Sequence, residues 1–277
     1  MIQLNNVSVS LGTFTLKNIQ FTLPKGYTIG CIGRNGAGKS TLIRTMMGVY
    51  VPNEGEVLWN GQPLSKEAKE RIGFVYDDLY VSKEMKVKAF RSLMRVAYPT
   101  WSDERFTSLL QQFQLDEKKK MKALSKGMKM KLHIALALSH DVDVLIMDEP
   151  TAGLDPVFRR QFIDVLRDWM DEKEGRTLFF STHITSDLEQ FADYILLIDE
   201  GAISFLLPID ALDEKYALAK GPVELLTRYE SSFEAVEVRH GQFTALVDRT
   251  KHSVDAPLIE QRASLEDILY FLTEVDR

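Results

Sequence analysis

The stretch GRNGAGKST, residues 33–41, packs three glycines, a lysine and two hydroxyls into nine positions. Such a segment does not fill a core, and its glycines oppose helix propagation. Gly33, Gly38, Lys39 and Ser40 fit the spacing G-x-x-x-x-G-K-[ST]. Without Cβ atoms in the way, several backbone N–H groups can converge on one anionic group, aided by the N-terminus of a following helix. In that arrangement Lys39 reaches β- and γ-phosphates, and the Ser40 hydroxyl is available to Mg²⁺.

A phosphate loop needs an acidic partner to complete a metal site. VDVLIMDEP, residues 142–150, provides one. Four consecutive apolar residues suit a strand buried on both faces. Asp148 and Glu149 follow at its C-terminal end, where open parallel sheets bind ligands. Asp148 is expected to hold Mg²⁺, and Glu149 to polarise the water that attacks a γ-phosphate. In ALSKGMKMKLHIALALSHDVD, Ser125 fits a helix N-cap with Gly127 just inside the helix, a second place for an anion. Lys118, Lys119, Lys120, Lys122, Lys126, Lys129 and Lys131 surround it, a pattern that alone reads as a solvated face.

The elements that must carry these residues are readable around them. Strand-like runs occur at residues 2–9, 16–23, 27–32, 57–59, 72–76, 144–147, 177–181, 194–198 and 202–206. The early ones, separated by the turn signals LGT and PKG, are expected to pair antiparallel. The middle ones alternate with helical patterns and are expected to be parallel. From residue 77 to 140 strand signals give way to helical patterns at 82–97, 102–114 and 126–139. This predicts a helical subdomain inserted into an α/β core. Beyond Pro208 the pattern shifts again, with a predicted hairpin around His240-Gly241 and a capping box at Ser264–Asp267 opening a last helix.

Composition bounds the function class. The chain has 277 residues, 45% apolar, and a formal charge of −6. That balance argues against nucleic acid as a general partner. Cys31 is the only cysteine, so no intrachain disulfide forms, and it reads as a small buried hydrophobe. No signal peptide is evident, and no window approaches eighteen uncharged apolar residues. A reduced, cytoplasmic setting is expected.

GRNGAGKST, LSKGM, LIMDEPTAGLD and FFSTH, in that order, resemble the motif series of ABC-transporter ATP-binding subunits. The resemblance covers residues 1–207 and implies a P-loop NTPase fold of class α/β. That fold has a mainly parallel sheet, an antiparallel β subdomain and an inserted helical and signature subdomain over 77–140. Residues 208–277 are then a small C-terminal accessory region. The implied cofactors are ATP and Mg²⁺.

By this resemblance Gly33, Arg34, Asn35, Gly36, Ala37, Gly38, Lys39, Ser40 and Thr41 form the Walker A loop. Asp148 is the Walker B aspartate, Glu149 the catalytic glutamate and His183 the switch histidine. Ser125 and Gly127 belong to the signature and act on ATP held by a second subunit, and residues 152–155 are the D-loop. The implied partners are transmembrane permease subunits and a second ATP-binding subunit, identical or different, with no nucleic acid. The implied place is cytoplasmic, peripheral on the inner face of the membrane. Intact Lys39, Asp148, Glu149 and His183 speak against a non-hydrolysing scaffold. The absence of a second cassette or a long coiled coil speaks against a soluble ribosome- or DNA-acting relative.

Three residues depart from the family pattern. Asp77 stands where the Q-loop glutamine is expected; it could ligate Mg²⁺ but adds negative charge near phosphate. Leu11 stands where an aromatic residue stacks on adenine, with Phe14 nearby as a substitute. Lys126 and Met128 replace a glycine and the glutamine of the signature, as in the ABC-2-type exporter branch, which this sequence resembles overall.

Overall fold

The computed structural model describes residues 1–76, 81–253 and 257–275. It opens with β1 (Ile2–Leu11) and β2 (Phe14–Thr22), an antiparallel pair. β3 (Thr28–Ile32) runs through the glycine loop into α1 (Lys39–Met46). β4 (Glu54–Trp59) and β5 (Gln62–Pro63) join the first sheet in the order β2-β1-β4-β5. After α2 (Lys66–Glu70) and β6 (Ile72–Val75) come α3 (Val87–Ala97), α4 (Asp103–Gln112) and α5 (Lys126–Ala137). β7 (Val144–Met147), α6 (Pro156–Asp171), β8 (Thr177–Ser181), α7 (Thr185–Phe191), β9 (Tyr194–Asp199) and β10 (Ala202–Pro208) follow. The second sheet has the order β10-β9-β3-β8-β7-β6 and is parallel except for β10 at its edge.

The chain then forms α8 (Ile209–Lys215), β11 (Tyr216–Pro222), α9 (Leu226–Tyr229), β12 (Ala235–Arg239), β13 (Gln242–Asp248), β14 (Ile259–Arg262) and α10 (Leu265–Thr273). Its strands make a third, antiparallel sheet in the order β12-β13-β11-β14. α10 packs on β12, β13 and α7. None of the helices, among the described residues, is long and apolar enough to cross a membrane.

The parallel sheet has a core on each face, and the sequence sorts its side chains between them. Successive strand residues point to opposite faces. Val144 and Ile146 of β7 enter the core shared with β1, β2 and α1, while Leu145 and Met147 enter the core shared with α4, α5 and α6. β8 and β9 alternate in the same way: Phe179, Leu196 and Ile198 on the first side, Leu178, Phe180, Ile195 and Leu197 on the second. Burial on both faces is why these strands read as unbroken apolar runs. Each such side chain contributes about 1.5–3 kcal/mol.

Two expectations need correction, and two strands lie outside those expected. The PKG turn does not return β3 antiparallel onto β2. It carries the chain into the second sheet, where β3 lies parallel between β8 and β9. β2 mixes buried and exposed residues, whereas every residue of β3 is buried, so β3 needs covered neighbours on both sides. The helix expected over 82–97 starts at Val87. The preceding backbone is used across the chain instead: Met121 N–H donates to Met85 O at 2.8 Å and Val87 N–H to Lys119 O at 3.0 Å. Finally, β11 and β14 had no strand signal; β11 ends in Gly-Pro, and β14, IEQR, is exposed throughout. The predicted hairpin is present, with His240 and Gly241 both at positive φ in its turn. So is the capping box: Ser264 Oγ accepts from Asp267 N–H, and Asp267 accepts from Ser264 N–H.

Candidate active site at the end of the parallel sheet

Strand order brings three loops to one edge. β3 has β8 beside it, with Cys31 opposite Ser181, and β8 has β7 beside it, with Met147 opposite Phe180. The chain leaves β3 as the phosphate loop, β7 as Asp148-Glu149 and β8 as Thr182-His183. Thr182 N–H donates to Cys31 O at 3.1 Å and Asp148 N–H to Val75 O at 3.0 Å, so the loops are anchored where they depart.

In the loop, Gly36 and Gly38 have φ of 85° and 115°, conformations L side chains rarely adopt. Gly33 lies so close to β9 that a Cβ would sit 2.1 Å from Ile198 O. Lys39 is buried, and its Nζ donates to Gly33 O at 2.8 Å and Arg34 O at 3.2 Å, so the ammonium spans the loop that precedes it. Ala37 and Gly38 are buried, Gly33, Ser40 and Thr41 half-buried, and Arg34, Asn35 and Gly36 form an exposed crest. Ala37 O accepts from Gly201 N–H at 3.0 Å, which braces the loop on the β9–β10 turn. Cys31 beneath the loop is fully buried, as expected, and burial pushes its thiol up to about 12, despite the opposing charge of Lys39.

Glu149 stands at φ 48°, in the left-handed region, where a non-glycine residue is strained. Its N–H donates to Ser181 Oγ at 2.9 Å, and the same hydroxyl donates to Asp148 Oδ1 at 2.6 Å. Ser181 therefore links the two acidic residues. Sequence reasoning gave it no role, because a serine ending a strand carries no signal until β8 is known to neighbour β7. Glu149 Oε2 accepts from His183 Nδ1 at 2.7 Å. With the carboxylate as acceptor, the imidazole proton is assigned to Nδ1. Behind them, buried Asp187 accepts from Thr151 Oγ1 at 2.6 Å and from Arg159, tying the segment after Glu149 to α6 and α7.

Ser125 and Gly127 lie elsewhere. Ser125 caps α5, its Oγ accepting from Met128 N–H at 3.2 Å. A Cβ on Gly127 would lie 3.9 Å from Leu154 Cδ2, and one on Gly153 would lie 3.6 Å from Lys126 Nζ. The start of α5 thus lies close to residues 153–154 of its own chain; no hydrogen bond or ion pair among the described residues joins Ser125 or Gly127 to the phosphate loop. Leu11 is 36% exposed, while the Phe14 ring reaches the phosphate loop, its Cζ 2.8 Å from where a Gly38 Cβ would be. Asp77 lies outside the described residues. Among the described residues no three His, Cys, Asp or Glu side chains gather into a protein-only metal cage. One hydroxyl and one carboxylate, Ser40 and Asp148, instead suit a hard cation shared with nucleotide phosphates.

A parallel sheet with this loop, lysine and strand-end carboxylates defines a P-loop nucleotide-binding domain. Residues 16–152 match the family model described as ABC transporter. The Lantibiotic transport ATP-binding protein SrtF of Streptococcus pyogenes is 32% identical over 73% of this chain and 89% of its own. The Thiamine import ATP-binding protein ThiQ of Jannaschia sp. is 32% identical over 76% of this chain and 93% of its own. The ATP-binding cassette MJ0796, solved as a post-hydrolysis dimer with ADP and Pi, shares the fold at a TM-score of 0.67 and 23% identity, over 76% of this chain and 99% of that one. The chain belongs to the ABC transporter ATP-binding family and is an ATPase of that family.

Proposed function

We propose that this chain is the ATP-hydrolysing subunit of an exporter whose transmembrane permeases are separate chains, and that two ATP-binding subunits close around two ATP molecules. The observation that carries the reading is the Glu149–His183 contact at 2.7 Å, with Glu149 linked to Asp148 through Ser181. Walker A residues 33–41 hold the phosphates, with Lys39 released from its loop carbonyls to meet them. Ser40 and Asp148 hold Mg²⁺, which supplies charge neutralisation on the phosphate oxygens. Glu149 orients a water and takes up its proton as the oxygen attacks the γ-phosphorus. The bond to the bridging oxygen breaks, leaving ADP and phosphate. His183 fixes the glutamate from one side and turns Nε2 toward the γ-phosphate. Ser125 and Gly127, turned toward the D-loop, are offered to the nucleotide of the second subunit.

The export direction is supported by the LSKGM signature and by the lantibiotic relative; the thiamine-import relative supports the opposite direction. A permease contact is supported by α3, which exposes Leu93 at 52% and Val96 at 89%. We assign the chain to the inner face of the membrane, residues 1–207 to the ATPase unit and 208–277 to an accessory region. The test is co-purification from gently solubilised membranes, with hydrolysis assayed for wild type and Glu149→Gln. Recovery with membrane subunits, loss of hydrolysis and accumulation of an ATP-bound dimer in the variant are expected. A wholly soluble complex with ribosomes or nucleic acid would replace this reading.

A further inference from the structure

Two segments far apart in sequence are drawn together at the base of α3. Val87 N–H donates to Lys119 O at 3.0 Å, Lys88 N–H to Glu117 O at 2.9 Å, Met121 N–H to Met85 O at 2.8 Å and Lys122 N–H to Lys83 O at 3.0 Å. Lys86 and Lys120 face each other as an antiparallel bridge. Residues 83–88 and 116–122 hold seven lysines against three carboxylates, in a chain whose overall charge is −6. Of these carboxylates Glu84 binds Lys120 and Lys122, at 2.7 and 2.6 Å, and Glu117 is turned to Arg91 at 2.9 Å. Lys83, Lys86, Lys88, Lys118 and Lys119 are exposed and form no ion pair among the described residues.

Like charges placed opposite one another across a pair of strands repel. Lys120, opposite Lys86, is paired with Glu84, but the backbone pairing gathers five lysines with no ion pair among the described residues, and an external anion would relieve their mutual repulsion. The patch is lysine throughout. Lysines are flexible point charges, suited to a diffuse negative surface, whereas bidentate recognition of a carboxylate favours arginine. Clusters of four to eight such cations, roughly, are what anionic headgroups attract. We propose that this patch binds the anionic lipid headgroups of the membrane surface. The patch adjoins α3, whose exposed apolar residues we assigned to the permease; its orientation toward the bilayer rests on that reading, but the charge argument does not.

The test uses the full chain without permease, floated with vesicles of phosphatidylcholine alone and with about one-third phosphatidylglycerol. Binding is expected only to the anionic vesicles and should fall as ionic strength rises. The triple variant Lys86→Gln, Lys118→Gln, Lys119→Gln should bind about a hundredfold more weakly, at about fivefold per lysine. None of the three lies in the ATP site, so unchanged hydrolysis and melting temperature show that the variant is folded. Equal affinity for both vesicle types, or an undiminished triple variant, overturns the proposal. Binding to polyglutamate without binding to anionic vesicles also overturns it and assigns the patch to an acidic protein segment. Failure here with Glu149→Gln still trapping ATP would leave the proposed function standing.

Discussion

Arg34, at the crest of the phosphate loop, is ion-paired at 3.2 Å with Glu274, just beyond the last helix, and also donates to Thr273 O at 3.1 Å. Both side chains are about half exposed, so the pair adds little to stability, about 0–1 kcal/mol. Its effect falls on the loop, which is otherwise braced by the β9–β10 turn. Glu274→Gln is therefore expected to leave the melting temperature within about 3 °C of wild type. The same change should alter KM for ATP with kcat nearly unchanged. An unaltered KM, measured at low and high salt, would show that the contact is silent.

Ser181 is fully buried and serves both acidic residues at once. Ser181→Ala removes a donor from Asp148 and leaves the Glu149 N–H without an acceptor, a cost of about 1–3 kcal/mol. Thermal unfolding should register it as a loss of about 2–4 °C per kcal/mol. The Mg²⁺ concentration for half-maximal hydrolysis should also rise, because Asp148 is then free to rotate. A lowered melting temperature with unchanged Mg²⁺ dependence would reduce Ser181 to a packing role.

Glu149 and His183 should separate in their kinetics. Glu149→Gln keeps the shape but cannot take a proton, and hydrolysis should fall about 10²- to 10⁴-fold while ATP still binds. His183→Gln retains an amide donor for the glutamate and should lose less. If both variants hydrolyse alike, their 2.7 Å contact is not the coupling that orients the water.

Burial of His140, packed on Tyr98 with ring centroids 4.0 Å apart, pushes its pKa down to about 4. An unfolded histidine titrates near 6.5. Below that pH the unfolded chain takes a proton the folded chain refuses, so this contribution is fully present above pH 6.5 and is lost as pH falls toward 4. The slope in that window is about 1.4 kcal/mol per pH unit. Chemical denaturation of His140→Gln across the same range should show a flatter acid limb than wild type.

Much of this site was legible because its chemistry is local in sequence. The loop is nine consecutive residues, and Asp148-Glu149 follow a four-residue run whose alternation between two cores is the fold's own pattern. What escaped depends on partners distant in the chain. β14 is polar and becomes a strand only because β11 offers hydrogen bonds. The PKG turn looked like a hairpin because turn chemistry says where a chain bends, not which sheet receives it. The Arg34–Glu274 pair has no local signature. The sequence offers Phe14 for adenine, and its ring lies against Gly38; if it serves the base, base selectivity is expected to be weak and Phe14→Ala should narrow the preference for ATP over GTP further.

β3 lies between β8 and β9, both encoded at least 145 residues further on. A nascent chain therefore carries its phosphate loop long before it owns the strands that hold the loop in shape. Such long-range pairing folds slowly, and partly made α/β chains expose apolar edges. Until translation has passed residue 199 the phosphate loop lacks its flanking strands, so chains truncated before that point are expected to bind nucleotide poorly.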